Sequence, residues 1–192
     1  MLNKIKKTGQ KGYTLIEMLV GVSVMVILIA ASVDFFVSSL RMQQKALATQ
    51  LLLDNTSYSM EYMSRALRMA KRDTDGDCIT AGKNYETTTS PVGIKFLSYH
   101  DDCWQFYKTN ARNAEGSYNL MLETTGGPKP IKAELTSKYL DLVSFKIWQQ
   151  EGLSQQPRVT LFLEAQMIKN KKAELRPSIK IQTTISERDL SD

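Results

Sequence analysis

A long apolar segment lies near the start of the chain. Residues 18–33 contain no charged side chain, and the apolar segment extends back to Tyr13 with a single charge at Glu17. As a helix rising about 1.5 Å per residue, residues 13–33 would span about 30 Å, the hydrocarbon thickness of a bilayer. The pattern predicts a membrane-spanning helix over these residues.

The helical pattern continues beyond the apolar segment. No proline precedes Pro91, and Gly21 is the only glycine between positions 13 and 72, so nothing ends the helix early. Residues 34–72 are predicted as its amphipathic half, with apolar side chains that recur at alternating steps of four and seven. A free coiled coil would need strict heptads, so we expect this stripe to pack on a sheet. The stripe consists of Phe36, Leu40, Leu47, Leu51, Tyr58, Tyr62 and Met69.

From about Val92 the hydrophobic period changes from helical to two. Alternation of apolar and polar side chains predicts antiparallel strands with one face in water. The fold class is therefore predicted as α+β, a long N-terminal helix packed on one antiparallel sheet within a head of residues 73–192, with residues 126–130 as a loop. The predicted strands cover residues 92–96, 118–122, 143–147, 159–165 and 179–185, with residues 103–107 as a short edge strand.

Composition and charge place these elements. The chain has 192 residues, 42% hydrophobic and 23% charged, which suits one folded domain with an appendage and excludes a disordered chain. The net charge of +5 comes mostly from four lysines in the first twelve residues, Lys4, Lys6, Lys7 and Lys11, and the rest has 21 basic against 20 acidic residues. Lysines before an apolar helix favour a cytoplasmic N-terminus, so we expect the head to be exported.

Glu17 separates three interpretations of the apolar segment. They are a secretory signal peptide, with small residues at 30–32 where a peptidase could cut, a plain membrane anchor, and a prepilin-type leader followed by a filament-forming helix. A charged side chain inside a membrane helix costs at least about 2.5 kcal/mol unless it is paired. Glu17 therefore needs a partner, which the first two interpretations do not provide.

Residues 11–17, KGYTLIE, resemble the cleavage and methylation site of type IV prepilins and type II secretion pseudopilins. The resemblance implies that prepilin peptidase cuts after Gly12, removing the basic leader of residues 1–12, and methylates the new N-terminal Tyr13, where the family usually has Phe. It also implies that Glu17 pairs with the N-terminal amine of a neighbouring subunit during assembly. A carboxylate and an ammonium in hydrocarbon would each satisfy the other.

Two weaker similarities point to a minor pilin. Residues 62–70 resemble the end of the long helix in one group of minor pilins, and residues 181–188 are similar to the last strand of many minor pilins and pseudopilins. Major pilins often carry a proline about where Asp34 stands, and this chain has no proline there. The difference favours a minor pilin. The resemblance implies a structural subunit of a type IV pilus or related filament, acting in initiation or at the tip. The alternative is a type II secretion pseudopilin, or a competence pilin whose head binds DNA or an exported substrate.

The same resemblance implies the partners and the location. The partners would be other pilin subunits through the N-terminal helix, prepilin peptidase and the inner-membrane assembly platform. The chain would cross the inner membrane once, with its N-terminus in the cytoplasm, before it enters a cell-surface or periplasmic filament.

Two cysteines lie in the part expected to be exported. An oxidising compartment would let Cys78 and Cys103 form a disulfide. In the loop-entropy model this bond would contribute about 3 kcal/mol of stability. The alternative is two separate buried thiols.

Carboxylates alternate in the segment that follows the helix. Asp73, Asp75 and Asp77 have the spacing of a hard-cation loop, but Gly76 is fourth instead of sixth, and Asn84 stands where a bidentate glutamate would be needed. We therefore predict a solvated acidic turn without a metal.

Catalytic motifs are absent from the sequence. The single histidine, His100, has no nucleophile pattern beside it, and with Asp101 and Asp102 it is typical of a polar turn between strands. The sequence predicts neither an enzyme nor a cofactor.

A ligand-binding head would depend on basic and aromatic residues. The weak candidates are Lys169, Lys171 and Lys172, on a hairpin predicted between the last two strands, with Trp104 and Trp148 as aromatic contacts. The competing interpretation is a solvated hairpin tip for the lysines and sheet packing for both tryptophans.

Overall fold

The computed structural model describes residues 12–127, 130–152, 155–168 and 176–188. One α-helix, α1, covers Leu15–Arg68, and the chain divides into two compact units, Met1–Gln43 and Gln44–Asp192. The helix ends four residues before the predicted position 72. The strands are β1 Glu86–Thr89, β2 Val92–Leu97, β3 Cys103–Lys108, β4 Leu120–Thr125, β5 Ile131–Glu134, β6 Leu140–Gly152, β7 Gln155–Met167 and β8 Ser178–Ser186.

In the first unit, the apolar helix buries none of its described side chains. Large apolar residues such as Leu15, Ile27 and Phe35 are at least two-thirds exposed. The hydroxyls of Ser23 and Ser32 donate to the carbonyls of Leu19 and Leu28, both at 2.8 Å. Because these hydroxyls and the helical backbone are satisfied internally, the segment meets the hydrogen-bonding requirement of a hydrocarbon environment. Among the described residues, α1 alone is long and apolar enough to cross a membrane.

The strands form two antiparallel sheets, which corrects the prediction of one. The first has the order β1-β2-β3-β4-β5 and the second β6-β7-β8. The predicted edge strand at residues 103–107 is β3, which pairs with both β2 and β4 at the centre of its sheet. Strands β1 and β5 were not predicted because each has four residues and too little apolar alternation. All pairs are antiparallel, so the α+β class is confirmed.

Apart from Tyr62, whose ring packs on Trp104 and Phe106, the predicted stripe is not the helix face that packs on the sheets. Leu47, Leu51 and Tyr58 are 61%, 50% and 66% exposed. The buried face includes small and polar side chains that a search for large apolar residues overlooks. The Thr56 hydroxyl donates to the Leu52 carbonyl at 2.6 Å. Because this hydrogen bond satisfies the polar group, the side chain can be buried. The buried helix residues are Ala48, Leu52, Thr56, Ser59, Met60, Met63 and Leu67.

The core of the second unit lies between this helix face and the inner faces of both sheets. Leu52, Met63 and Leu67 are fully buried, as are the side chains that alternate along β7. The end of the helix is satisfied by the head, because the Leu67 carbonyl accepts a bond from the Tyr85 hydroxyl at 2.7 Å. The Arg68 carbonyl accepts one from the Arg188 N–H at 3.0 Å. These partners replace the intrahelical bonds that the last turn lacks.

Candidate processing and assembly site

The start of α1 is held by a reciprocal pair of hydrogen bonds between Thr14 and Glu17. The Thr14 N–H donates to Glu17 Oε2 at 3.3 Å, and the Glu17 N–H donates to Thr14 Oγ1 at 3.3 Å. This is the capping box, in which a hydroxyl and a carboxylate three residues apart satisfy two free N–H groups. Sequence reasoning assigned Glu17 to assembly alone, although the T-x-x-E pattern before an apolar run is itself a signal for a cap.

The cap leaves part of the Glu17 carboxylate free. Both hydrogen bonds that the carboxylate accepts from Thr14 use Oε2, since the Thr14 hydroxyl also lies 3.4 Å from that oxygen. Among the residues that the structure describes, no lysine or arginine pairs with Glu17. Its Oε1 can therefore accept a hydrogen bond from a donor outside the subunit while Oε2 keeps the helix start in place.

The bond between Gly12 and Tyr13 precedes the helix. Both residues are non-helical and exposed, Tyr13 at 81%. A side chain at position 12 would meet no atom within 4 Å, so in the free chain the glycine is not required by packing. An accessible, non-helical peptide bond is the form that a peptidase requires. The leader lysines lie outside the described residues.

Comparison with known proteins bears on this segment. The model of the prokaryotic N-terminal methylation motif matches residues 7–33, so the chain carries the type IV prepilin signature. Together with one long apolar helix followed by antiparallel sheets, this gives a pilin-like arrangement. No curated protein matches the chain, and no solved structure matches it.

A disulfide joins Cys78 to Cys103, as predicted, with 5.3 Å between their Cα atoms. Cys78 lies in the segment after the helix and Cys103 begins β3. The same segment is held to the end of β2, because the Lys71 N–H donates to the Leu97 carbonyl at 2.9 Å. The connection between helix and sheet is thus fixed covalently and by hydrogen bonds.

Asp73 is not part of a solvated turn, so that prediction was wrong for this residue. Its side chain is buried and accepts the N–H groups of Gly76 at 2.7 Å and of Cys78 and Ile79 at 2.9 Å each. These backbone hydrogen bonds, with Ile79 and then Cys78 contributing most, lower its pKa from 3.8 to about 2, because they stabilise the charged form.

The acidic segment holds its own loop together through the Asp73 carboxylate. Backbone amides occupy both Asp73 oxygens, while Asp75 and Asp77 are exposed. The described residues include no group of three His, Cys, Asp or Glu side chains that could hold a metal ion.

The two tryptophans differ in their surroundings. Trp104 is half-buried against Tyr62, with stacked rings 6.4 Å apart, and also contacts Phe96 and Phe106. Trp148 is 52% exposed, so the expectation of sheet packing was wrong for it. The candidates Lys169, Lys171 and Lys172 lie outside the described residues.

His100, Asp101 and Asp102 lie in the turn that connects β2 and β3, where the Ser98 N–H donates to the Asp102 carbonyl at 2.8 Å. Asp101 pairs with Lys71 at 2.8 Å. The three side chains therefore belong to a surface turn, as the sequence predicted.

Proposed function

We propose that this protein is a minor pilin-like, non-catalytic subunit of a type IV pilus or related filament. The observation that carries the proposal is the processing motif at Gly12, Tyr13 and Glu17, placed at the start of a helix whose apolar side chains are exposed on every side. Such a helix needs an apolar environment. A bilayer supplies it before assembly, and the helices of other subunits supply it in a filament.

The geometry suggests how Glu17 would act in assembly. Lipid tails are as apolar as the helix, so exchanging lipid for another helix gives little hydrophobic driving force. A polar contact can then select the partner. Cleavage after Gly12 creates an amine at Tyr13, and Oε1 of Glu17 in the next subunit is free to accept it. The capping bonds at Oε2 hold that carboxylate in a fixed position.

The exposed part of the apolar stripe in the second unit supports contacts between subunits outside the membrane as well. Leu47, Leu51 and Tyr58 are each at least half exposed on a helix whose other face is buried. In water, burying apolar surface gives about 25 cal/mol per Å². We therefore propose that this stripe packs against neighbouring subunits, where the hydrophobic effect can act.

The minor role rests on the similarities at residues 62–70 and 181–188 and on a helix without proline up to Arg68. A subunit that initiates filaments or sits at their tips would be present in few copies. The location proposed with it is the inner membrane first, with the leader in the cytoplasm, and an extracellular or periplasmic filament afterwards. The partners proposed are prepilin peptidase, the assembly platform and sister pilins.

The proposal is tested in cells that contain a prepilin peptidase and assemble filaments. We expect the intact mass of the wild-type protein to correspond to a chain that begins at N-methylated Tyr13. Gly12→Val should leave the full-length chain, whereas Gly9→Val, the same change three residues earlier in the leader, should be processed. A start near Val33 would indicate ordinary secretion, and an intact Met1 in the wild type would indicate a plain anchor.

Assembly is then measured in the same cells by quantifying the protein in sheared filaments. Wild type should be present at low copy. Glu17→Gln keeps the shape and an acceptor for the cap but removes the charge, so it should be processed normally and enter filaments at least about tenfold less, a difference of about 1.4 kcal/mol. Normal incorporation of Glu17→Gln would contradict the proposed pairing, and high copy of wild type would contradict the minor role.

A further inference from the structure

The outer face of the three-stranded sheet carries an exposed tryptophan, a half-buried phenylalanine and exposed basic side chains. Successive side chains along a strand point to opposite faces. Residues such as Val159 and Leu161 of β7 point into the core, and their neighbours point outward. We call part of this outward set the outer platform, namely Lys146, Trp148, Arg158, Phe162, Gln182 and the Thr160–Thr184 pair. Glu164 and Lys180 lie on the same face in the next row, where they pair with each other.

The strand register places these side chains around Trp148. Trp148 lies opposite Thr160, Lys146 opposite Phe162, and Gln150 opposite Arg158. Phe162 and Arg158 are therefore the diagonal neighbours of Trp148 on the same face, a spacing that long and aromatic side chains can bridge. On the third strand, Gln182 lies opposite Phe162. Trp148 thus lies diagonally between Phe162 and Arg158, and Phe162 is flanked on the neighbouring strands by Lys146 and Gln182.

The cations of the outer platform are not neutralised by the residues that the structure describes. Lys180 is paired with Glu164 at 3.3 Å. Lys146 and Arg158 are exposed, and within the described ranges neither has an acidic partner at salt-bridge distance. The chain beyond the leader is almost balanced in charge, so this face is locally positive and complements a negatively charged partner.

Trp148 differs from the aromatic residues elsewhere in the head. Tyr62, Phe96, Trp104 and Phe106 contact one another, and Tyr118 is covered by Lys108 at 4.5 Å and Arg112 at 4.7 Å. In the described part of the chain no other ring lies against Trp148. Its ring is available for stacking.

The chemistry of this face suits single-stranded nucleic acid better than a folded protein. Bases stack on exposed aromatic rings, phosphates bind cations, and amides can reach base edges on an open sheet. A stable interface with a folded protein usually has a larger apolar core and buries about 800 Å² on each side. Here two rings are surrounded by polar and charged side chains. An uncharged glycan would make no use of the cations.

We propose that the outer platform binds single-stranded nucleic acid, with Trp148 and Phe162 as stacking residues and Lys146 and Arg158 as phosphate contacts. This function goes beyond filament assembly and does not depend on it. The platform lies in the second unit and shares no residue with the processing site.

The test uses the full chain in neutral detergent and measures fluorescence anisotropy of a labelled oligothymidine at about 50 mM and about 200 mM salt. Trp148→Ala should weaken binding about tenfold or more, and Trp148→Phe should restore most of it because a phenyl ring still stacks. Lys146→Gln and Arg158→Gln should each reduce the slope of log affinity against log salt by about 0.7.

Tyr99→Ala is the matched control. Tyr99 is 51% exposed, like Trp148, and also has a lysine nearby, with Lys71 Nζ 5.2 Å from its ring centre. It lies in the turn between β2 and β3, so its removal should leave the affinity unchanged. An unchanged urea midpoint in each variant would show that the head is folded.

Three results would overturn the proposal. They are no binding at the lower salt concentration, equal affinity of wild type and Trp148→Ala, and equal competition by heparin and by the oligonucleotide. If Trp148→Ala no longer bound a sister subunit but still bound the oligonucleotide like wild type, the face would be a binding site for a protein partner instead. Processing and filament incorporation are measured separately, so either proposal can fail without the other.

Discussion

The two parts of α1 share one secondary structure but differ in what stabilises them. In residues 15–43 the apolar side chains are exposed around the whole helix, whereas from Ala48 onward one face is buried against the sheets. The first part can be stable only in surroundings that other molecules provide. The second part has a core of its own. Hydrophobicity alone therefore does not tell which part of a helix belongs to a folded domain.

In both parts of α1, hydroxyl side chains have hydrogen-bond partners. The hydroxyls of Ser23 and Ser32 donate to carbonyls four residues earlier, and so does that of Thr56 in the buried face. Ser59 is buried as well, and its hydroxyl lies 2.9 Å from the Leu135 carbonyl in the head. The two parts of the helix therefore differ in apolar burial. The head buries one face of the helix from Ala48 onward, whereas no side chain of residues 15–43 is buried.

Two adjacent leucines give the sharpest test of this comparison. Leu52 is fully buried and Leu51 is 50% exposed. Leu52→Ala should destabilise the head by about 3 to 5 kcal/mol because it leaves a cavity, while Leu51→Ala should change the free energy of unfolding by less than about 0.5 kcal/mol. The measurement is urea unfolding of the full chain in detergent, followed by tryptophan fluorescence.

The same pair separates folding from assembly. If Leu51 belongs to the proposed subunit contact, Leu51→Ala should be recovered from filaments in reduced amount although its stability is unchanged. Equal destabilisation by both substitutions would mean that the burial of this helix face has been assigned wrongly.

The disulfide should stabilise the head without affecting the apolar part of the helix. Replacing Cys78 and Cys103 by serine removes a link across a sequence separation of 25 residues, which corresponds to about 3 kcal/mol in the loop-entropy model. The urea midpoint of the head should fall, while the helical circular dichroism of residues 15–43 in detergent persists.

Reduction provides the control for this prediction. Reduced wild type should match the double variant, and a reductant should have no effect on the variant itself. An unchanged midpoint in both would show that the bond does not constrain the unfolded head.

The apolar helix and the processing motif could be predicted from the sequence because neither depends on distant residues. Length, absence of charge and the local order of Gly12, Tyr13 and Glu17 are sufficient. The alternation in β7 and β8 was equally visible, since each of these strands has one face in the core.

The remaining features depend on contacts between residues far apart in sequence. The buried helix face could not be predicted because Ala48, Thr56 and Ser59 are small or polar, whereas the more apolar Leu47 and Leu51 face outward. The division into two sheets depends on which strands pair, and this is not encoded in the period of any single strand.

Asp73 shows at one residue why the sequence was not sufficient, because its partners are backbone amides that no side-chain pattern reveals.

Asp73→Asn should lower the urea midpoint at neutral pH, by less than loss of the disulfide, because an amide cannot accept all three N–H groups. Since the pKa falls from 3.8 in the free group to about 2 in the fold, the carboxylate's contribution to stability is fully present above about pH 4. It is lost as the pH falls through about 2.

The midpoints of wild type and Asp73→Asn should therefore converge between about pH 4 and pH 2. Asp75→Asn makes the same change of charge at an exposed neighbour and should follow wild type throughout. Parallel curves for wild type and Asp73→Asn would mean that the amide bonds do not depend on the charge of Asp73. Convergence would locate this pH dependence in the folded head, since the residues that hold Asp73 all lie in the second unit.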